Sequence, residues 1–181
     1  MKYEQKIVLK NSKEALIRNG NASDGLAVYE CFNLTHAETD YLLTYPDEND
    51  PDPEREARFL EEKAESPNEA ELVAIVDGKV AGTAGIQAVG TKHKVRHRAE
   101  LGISVLREYW GLGLGKALTK ACIQCAKDAG YDQLELNVVA DNDRALTLYR
   151  SLGFEEFGRN PRGFNSRTSG YQELVYMLLE L

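Results

Sequence analysis

The clearest alternation of apolar and polar positions lies in the middle of the chain. Residues 99–105 alternate strictly, which predicts a strand with one apolar face. The other face of this strand is small and carries Glu100, Gly102 and Ser104. After a glycine-rich turn, apolar residues recur at three- and four-residue spacing as far as Ala129, which predicts an amphipathic helix. Strand, glycine turn and helix therefore follow one another directly.

The remaining pattern predicts further strands and helices on both sides of this unit. The Asp-Gly pair at 77–78 predicts a tight hairpin between two of the strands. A long polar loop is predicted at residues 159–169. The other predicted strands cover residues 5–9, 14–19, 71–76, 80–89, 134–139, 154–157 and 170–179; the other predicted helices cover 54–64, 143–152 and a segment from the capping residues 21–24 to about residue 34.

The glycine turn has the composition of a phosphate-binding site. Glycine lets the backbone approach a ligand closely, and the first N–H groups of a helix are unpaired and lie at the positive end of its dipole. Lys116 adds a cation beside them. The glycine spacing does not fit the dinucleotide-binding fingerprint, and no Gly-Lys-Ser or Gly-Lys-Thr of a Walker loop occurs.

Two motifs resemble the GNAT superfamily of N-acetyltransferases. Residues 110–115, Trp-Gly-Leu-Gly-Leu-Gly, are similar to its pyrophosphate loop, Arg/Gln-x-x-Gly-x-Gly/Ala, with Trp110 in place of the first residue. Residues 134–154 are similar to its fifth strand and the helix Asn-x-x-Ala-x-x-Leu-Tyr-x-x-x-Gly-Phe that follows. The resemblance is good over residues 71–157 and looser elsewhere.

The resemblance implies an α/β (α+β) fold, in which helices flank a mixed central sheet of about seven strands, as one domain spanning residues 1–181. It implies acetyl-CoA as cosubstrate, with the thioester in a gap where the fourth and fifth strands of the family splay apart. It implies backbone contacts to pantetheine and pyrophosphate from Ile103, Ser104, Val105, Gly111, Leu112, Gly113, Leu114, Gly115 and Lys116. Asn142, a predicted N-cap, is a further candidate contact to coenzyme A.

Two residues are candidates for proton transfer. Acetyl transfer from a thioester to an amine needs a neutral amine, a stabilised oxyanion and a proton for the leaving thiolate. Tyr149 matches the position where many family members carry the tyrosine that protonates the thiolate, so it is the candidate general acid; a core position on its helix is the alternative. Glu100 matches the strand position of a general base in some members, and an ion pair with Arg98 or a neighbouring strand is the alternative.

The acceptor is predicted to be the primary amine of a small cationic molecule. In the family, the first two helices and their connecting loop form much of the acceptor site, and here that loop, residues 46–54, is acidic and proline-rich. A solvated loop with N-capping carboxylates is the alternative. The loop at 159–169 is a second candidate to line the acceptor site, and the basic run at 91–98 is either a docking point for phosphates or a solvated hairpin end. A protein or peptide acetyltransferase and a noncatalytic coenzyme A sensor remain alternative functions.

Composition and charge narrow the partners and the location. The net charge of −7, from 22 basic and 29 acidic residues, disfavours nucleic acid and anionic membrane. Neither an apolar run of membrane-spanning length nor a signal-peptide core occurs, so a cytoplasmic protein is expected, and the resemblance suggests a homodimer. Cys122 and Cys125 fall on the core face of their helix, which argues against a covalent acetyl-cysteine route. His36, His93 and His97 lack ligand spacing, so no metal site is expected.

Overall fold

The computed structural model describes residues 2–48 and 52–181, and their helices and strands follow the predicted alternation closely. The strands are β1 (Glu4–Val8), β2 (Glu14–Asn19), β3 (Ala70–Val76), β4 (Lys79–Ala88), β5 (Arg98–Val105), β6 (Gln133–Val139), β7 (Glu155–Ser166) and β8 (Gly170–Glu180). The α-helices are α1 (Gly25–Glu38), α2 (Pro53–Glu65), α3 (Leu114–Asp128) and α4 (Asp143–Ser151).

Within the described residues, the eight strands form one mixed sheet in the order β1-β2-β3-β4-β5-β6-β8-β7. Strands β5 and β6 run parallel, and the neighbouring pairs on either side of them are antiparallel. The predicted hairpin between β3 and β4 is confirmed, because Asp77 and Gly78 both have the positive φ, 50° and 78°, that a tight hairpin turn requires. The α/β fold with a mixed central sheet and flanking helices is therefore confirmed.

Strands β5 and β6 pair over a short length only. Residues 98–100 pair with residues 133–135, and no further pairs are formed between these two strands. The second half of β5 therefore faces a gap in the sheet instead of a neighbouring strand. This gap is the predicted splay, and it lies next to the glycine turn that leads into α3.

The helices cover opposite faces of the sheet. Helix α3 packs on β3, β4 and β5, while α1 packs on β4 and α2 on β3. Alternating residues of β3 serve the two sides: Leu72 belongs to the main core, and Val73 packs with Val28 of α1 and Leu60 of α2. The main core under α3 includes Leu114, Leu118, Ala121, Cys122 and Cys125.

Helix α2 lies unusually close to its neighbours. A Cβ atom at Gly25 would come within 2.7 Å of the Ala57 Cβ, and one at Gly20 within 2.8 Å of the Leu60 Cδ2. Two glycines thus let α2 approach α1 and the edge of β3. This approach places the next turn of α2, which carries Glu56, above the first residues of β3.

The prediction of a polar loop at residues 159–169 is wrong for most of these residues. Strand β7 continues to Ser166 as an antiparallel partner of β8, and only residues 167–169 form the turn. Irregularities between Glu156 and Gly158 and between Asn160 and Phe164 interrupt the alternation of β7. Pairing with β8 sustains this strand, which is why its own sequence pattern does not show it.

Candidate active site

A cleft of about 1460 Å³ opens on the face of the sheet that α1 and α2 cover. It extends from the glycine turn and the start of α3, past the gap between β5 and β6, to the space under α2. Gly113 and Lys116 line one end, Ser104 and Tyr149 line the middle, and Glu71 lines the other end. The cleft therefore joins the phosphate-binding candidate to an acidic region in one continuous space.

The glycine turn presents bare backbone to this cleft. Gly111 and Gly113 have φ values of 77° and 96°, and a Cβ atom at either position would meet nothing within 4 Å. Gly113 is the N-cap of α3, and no side chain caps this helix end. The first N–H groups of α3 are therefore free to bind an anion, with the exposed Lys116 beside them.

Leu112 and Leu114 hold this turn in place and do not line the cleft. The carbonyl of Leu112 accepts a hydrogen bond of 3.1 Å from the N–H of Lys10. The side chain of Leu114 is fully buried in the core under the sheet. Of the predicted coenzyme A contacts, those lining the cleft are Ile103, Ser104, Val105, Gly111, Gly113, Gly115, Lys116 and Asn142.

Trp110 occupies the position where the superfamily motif has arginine or glutamine. Its indole N–H donates a 2.6 Å hydrogen bond to the carbonyl of Val105, which fixes the ring beside the end of β5. The guanidinium of Arg144 lies 5.1 Å from the ring centre and that of Arg107 lies 5.5 Å from it. Trp110 therefore makes cation–π contacts with two guanidinium groups at the position where the motif usually has a polar side chain.

Asn142 caps helix α4 as predicted. Its Oδ1 accepts a 3.2 Å hydrogen bond from the N–H of Ala145, and its side chain also lines the cleft. This cap fixes the start of α4, the helix that carries Tyr149.

Tyr149 is both a core residue and a cleft residue. It is only 6% exposed, and its ring meets that of Phe154 edge to face, with centres 5.7 Å apart. Within the part of the chain that the structure describes, its hydroxyl makes no hydrogen bond. Burial raises the pKa of Tyr149 well above its ordinary value, and the nearby Cys122 thiol adds to this effect. The hydroxyl is therefore protonated at neutral pH and able to donate into the cleft.

Glu100 is not part of the ion pair considered for it. The guanidinium of Arg98 pairs with Glu135, with 2.7 Å between Nη2 and Oε2. Glu100 lines the cleft, and its Oε1 accepts a 3.4 Å hydrogen bond from the Asn137 side chain across the gap between β5 and β6. Its carboxylate is accordingly placed beside the gap, and among the residues that the structure describes it forms no ion pair.

Carboxylates of the acidic loop between α1 and α2 form ion pairs and hydrogen bonds with other groups of the protein. Arg167, in the β7–β8 turn, pairs with Asp47 at 2.7 Å and with Glu48 at 3.1 Å. Asp52 caps α2 by accepting hydrogen bonds from the N–H groups of residues 54 and 55. These contacts match the alternative of a loop with N-capping carboxylates; residues 49–51 of the predicted acidic loop lie outside the described residues.

Glu48 and Asp52 of this loop also line the cleft, and Glu56 and Glu71, which the sequence patterns did not single out, add two further acidic side chains there. The carboxylate of Glu71 lies over Gly85, so close that a side chain at Gly85 would overlap its Oε2. Burial raises the pKa of Glu71 to about 8, and the Glu56 carboxylate adds to this effect, whereas the Thr83 hydroxyl and Lys63 oppose it. Burial also raises the pKa of Glu56.

A bulge explains why Glu71 escaped prediction. A regular hairpin around residues 77–78 would pair Glu71 with Ala84, but the register shifts by one residue between Ala74 and Ile75. Glu71 is paired with Gly85 as a result. A lone glutamate at the start of an otherwise apolar strand was the only sequence signal, and it resembles an ordinary strand end.

Other candidate groups lie outside the cleft. None of residues 91–98 lines it, and these residues form the β4–β5 turn and the start of β5, far from the glycine turn. Among the described residues, no group of three or more histidine, cysteine or acidic side chains is placed to hold a metal ion. No described helix combines the length and the apolar character needed to span a membrane.

Comparison with known proteins decides the family. The model of the Acetyltransferase (GNAT) family matches residues 33–154. The chain belongs to the GNAT family. The L-amino acid N-acetyltransferase AaaT of Escherichia coli (strain K12) is 29% identical to this GNAT protein over 91% of this chain and 96% of AaaT.

Solved structures agree with this assignment. An acetyltransferase of the GNAT family from Streptococcus pneumoniae superposes with a TM-score of 0.88 and 30% identity, covering 92% of this chain and 99% of that one. The putative acetyltransferase yncA from Salmonella typhimurium, solved with its cofactor acetyl-CoA, shares the fold with a TM-score of 0.80 and 23% identity, over 92% and 94% of the two chains. The present GNAT protein is accordingly an N-acetyltransferase that uses acetyl-CoA.

The residues of the cleft fit this cosubstrate. The uncapped start of α3 and Lys116 suit the pyrophosphate, because both carry positive charge to a place without side-chain obstruction. Residues 101–105 of β5 pair with β4 but not with β6, so their backbone groups directed toward the gap have no strand partner and suit the amides of pantetheine. Acetyl-CoA supplies the acetyl group as a thioester; the protein must bind and deprotonate the acceptor and protonate the thiolate.

Proposed function

We propose that this GNAT protein transfers the acetyl group directly to the primary amine of a small cationic molecule. The observation that supports this acceptor is the acidic end of the cleft. Glu56 and Glu71 lie there together, and burial raises the pKa of both. A positively charged amine offsets the repulsion between two desolvated carboxylates, whereas an anionic acceptor would increase it.

Tyr149 is proposed as the general acid. Its hydroxyl stays protonated because of its raised pKa, and it lines the cleft beside the gap between β5 and β6. A donor held at this place stabilises the negative charge that develops on sulfur as the thioester bond breaks.

Glu100 is proposed as the general base. Its carboxylate lies on β5 at the edge of the gap and is held by the side-chain amide of Asn137. From that position it can accept the proton that the amine nitrogen loses as the new C–N bond forms, directly or through a water molecule.

Direct attack by the amine is favoured over a covalent acetyl-cysteine route. Cys122 and Cys125 are buried in the main core, and neither of them lines the cleft. Burial raises the pKa of Cys122 strongly and that of Cys125 to about 11, so both are thiols and not thiolates at neutral pH. Neither cysteine is suited to act as a nucleophile.

The free α-amine of an amino acid is a second candidate acceptor. The relative AaaT is named for L-amino acids, and it aligns with this chain over nearly the full length of both proteins. Arg55 lines the acidic end of the cleft and offers a positive charge to a carboxylate of the acceptor. An amino acid would then place its ammonium toward Glu71 and its carboxylate toward Arg55.

The test is acetyl-CoA-dependent thiol release with a panel of diamines, polyamines, aminoglycosides, amino acids and peptides. We expect turnover with small cationic amines, or with amino acids if the second candidate is correct. Activity restricted to peptides would replace both proposals by a protein acetyltransferase. Binding of coenzyme A without turnover of any amine would point to a sensor.

A further inference from the structure

We propose that Glu71 binds the ammonium group of the acceptor and takes its first proton. The acceptor then lies along a strip of the sheet that Gly85 and Gly102 keep free of side chains. This inference rests on the proposed function, because it concerns how that acceptor is held and activated.

The strip follows from the register of three strands. Glu71 pairs with Gly85 across β3 and β4, and Gly85 pairs with Gly102 across β4 and β5. Paired residues point to the same face of a sheet, so all three face the cleft. Strands lie about 4.8 Å apart, which puts the backbone of Gly102 roughly 10 Å from that of Glu71.

The glutamate side chain covers the first half of this distance. Its carboxylate lies over Gly85, where any Cβ atom would displace it. At Gly102, by contrast, a Cβ atom would meet nothing within 4 Å, so the second half of the strip is open. The open half ends at residues 103–105, which pair with β4 but not with β6 and line the gap proposed for the thioester. An amine held by Glu71 therefore has space between its binding group and the acetyl carbon.

The groups that face Glu71 leave its carboxylate available for such a ligand. Lys63 of α2 is already paired with Glu69 at 2.5 Å, and Glu71 forms no ion pair within the described residues. Glu56 of α2 adds negative charge above it. The Thr83 hydroxyl of β4 donates a hydrogen bond to the Glu71 carboxylate, which leaves its other acceptor positions for a ligand. Tyr29 of α1, Arg55 of α2 and Glu100 of β5 line the same cleft.

The raised pKa of Glu71, about 8, suits proton transfer from an ammonium group at about pH 8 and above, where the Glu71 carboxyl is ionised. In the proposed step the ammonium loses one proton to the Glu71 carboxylate, and the amine lone pair then forms the C–N bond while the C–S bond breaks. Tyr149 protonates the departing sulfur, and the second amine proton goes to Glu100. One proton in total is returned to solvent for each acetyl group transferred.

The experiment is the pH profile of kcat/KM for an active amine from the panel, measured with wild type, Glu71→Gln, Glu56→Gln and Glu62→Gln. Glu62 is the matched control, since it is an exposed glutamate of α2 that does not line the cleft. The amine titrates identically in all four assays. We expect Glu71→Gln to lower kcat/KM at pH 8 by about 100-fold and to remove one ionisation from the acid side of the profile.

Glu56→Gln should move that ionisation to lower pH, because it removes a like charge from beside Glu71. Glu62→Gln should leave the profile unchanged. Calorimetric titration of the same amine without acetyl-CoA gives a second readout, in which Glu71→Gln should weaken binding about 10-fold, equivalent to about 1.4 kcal/mol.

Wild-type rates and an unchanged profile in folded Glu71→Gln would overturn the inference while leaving the proposed function intact. Absence of turnover by wild type with every amine would instead overturn the proposed function. If Glu71→Gln does not fold, Gly85→Ala replaces it, because the added methyl displaces the Glu71 carboxylate while keeping its charge. Full activity of folded Gly85→Ala would likewise overturn the inference.

Discussion

Tyr149 packs its ring in the core, edge to face with Phe154, and also lines the cleft. Its hydroxyl makes no hydrogen bond within the described chain, so it is available to donate to a ligand in the cleft. The leaving sulfur is the acceptor proposed for that hydrogen bond.

Tyr149→Phe should lower kcat by about 10-fold or more without lowering the melting temperature, because it removes a proton donor and no internal hydrogen bond. Steady-state thiol release and a thermal melt measure the two effects. An unchanged kcat would assign Tyr149 to the core alone.

The contact between Trp110 and Arg144 can also be tested by a single substitution. Arg144→Ala should raise the Kd for coenzyme A about 5-fold, because it removes a cation that Trp110 holds beside the phosphate-binding turn. Isothermal titration calorimetry with coenzyme A checks this. Arg150→Ala on the same helix is the control, since Arg150 is exposed and does not line the cleft; equal effects of both variants would contradict the assignment.

At the scale of elements, the unit of β5, glycine turn and α3 is the proposed binding site of the cosubstrate. The turn places Gly113 at the start of α3 with φ 96°, and Gly130 follows the other end of the same helix with φ 78°. An alanine at either position introduces a similar backbone strain, but only Gly113 faces the cleft. Comparing alanine substitutions at the two glycines therefore distinguishes the effect of backbone strain from a loss of ligand binding.

Gly113→Ala and Gly130→Ala should each lower the melting temperature by about 2–8 °C, from roughly 1–2 kcal/mol of left-handed strain. Only Gly113→Ala should lose the stabilisation by coenzyme A, because its new methyl group projects into the phosphate-binding end of the cleft. Thermal melts with and without coenzyme A measure both effects. A normal coenzyme A shift in Gly113→Ala would contradict the proposed cradle.

The sequence was informative wherever local patterns decide the structure. The alternation of β5, the amphipathic α3 and the turn at residues 77–78 are local features, and each was predicted correctly. The continuation of β7 beyond residue 157 and the placement of Glu71 were missed, because both depend on pairing between distant segments and on irregular register. The loop at residues 46–54 was expected to supply the acidic lining of the acceptor site; its Glu48 and Asp52 do line the cleft, and the structure adds Glu56 of α2 and Glu71 of β3.

At the scale of the whole molecule, the net charge of −7 conceals two regions of opposite sign in one cleft. At the end next to the glycine turn Lys10, Lys116 and Arg144 outnumber Asp141 and Asp143. In the remainder the acidic side chains outnumber Arg55 and Lys63; they are Glu48, Asp52, Glu56, Glu71 and Glu100. This separation suits an anionic cosubstrate and a cationic acceptor that meet at the gap in the sheet. The single domain, the homodimer and the cytoplasmic location stay predictions.

Burial of Glu71 should also make the stability of the whole protein depend on pH. Below about pH 4.5 the carboxyl is protonated in the folded and the unfolded chain and has no effect. Between about pH 4.5 and 8 it ionises only in the unfolded chain, so its contribution to the free energy of unfolding falls as the pH rises. Above about pH 8 this loss is complete.

Glu71→Gln should therefore melt at a higher temperature than wild type at pH 8 and at a similar temperature at pH 5. In a chain of this size, each kcal/mol raises the melting temperature by about 2–4 °C. Thermal melts at the two pH values check this, with Glu62→Gln as the control that should follow wild type at both. A variant that is less stable than wild type at pH 8 would show that the carboxylate is satisfied within the fold.

The most direct test of the account is mass spectrometric detection of the N-acetylated product after incubating the protein with acetyl-CoA and a small cationic amine. We predict an acetyl group on the primary amine nitrogen, formed in proportion to the thiol released and reduced about 10-fold or more in Tyr149→Phe. A protein that is stabilised by coenzyme A but yields no acetylated product with any amine of the panel would contradict the central claim.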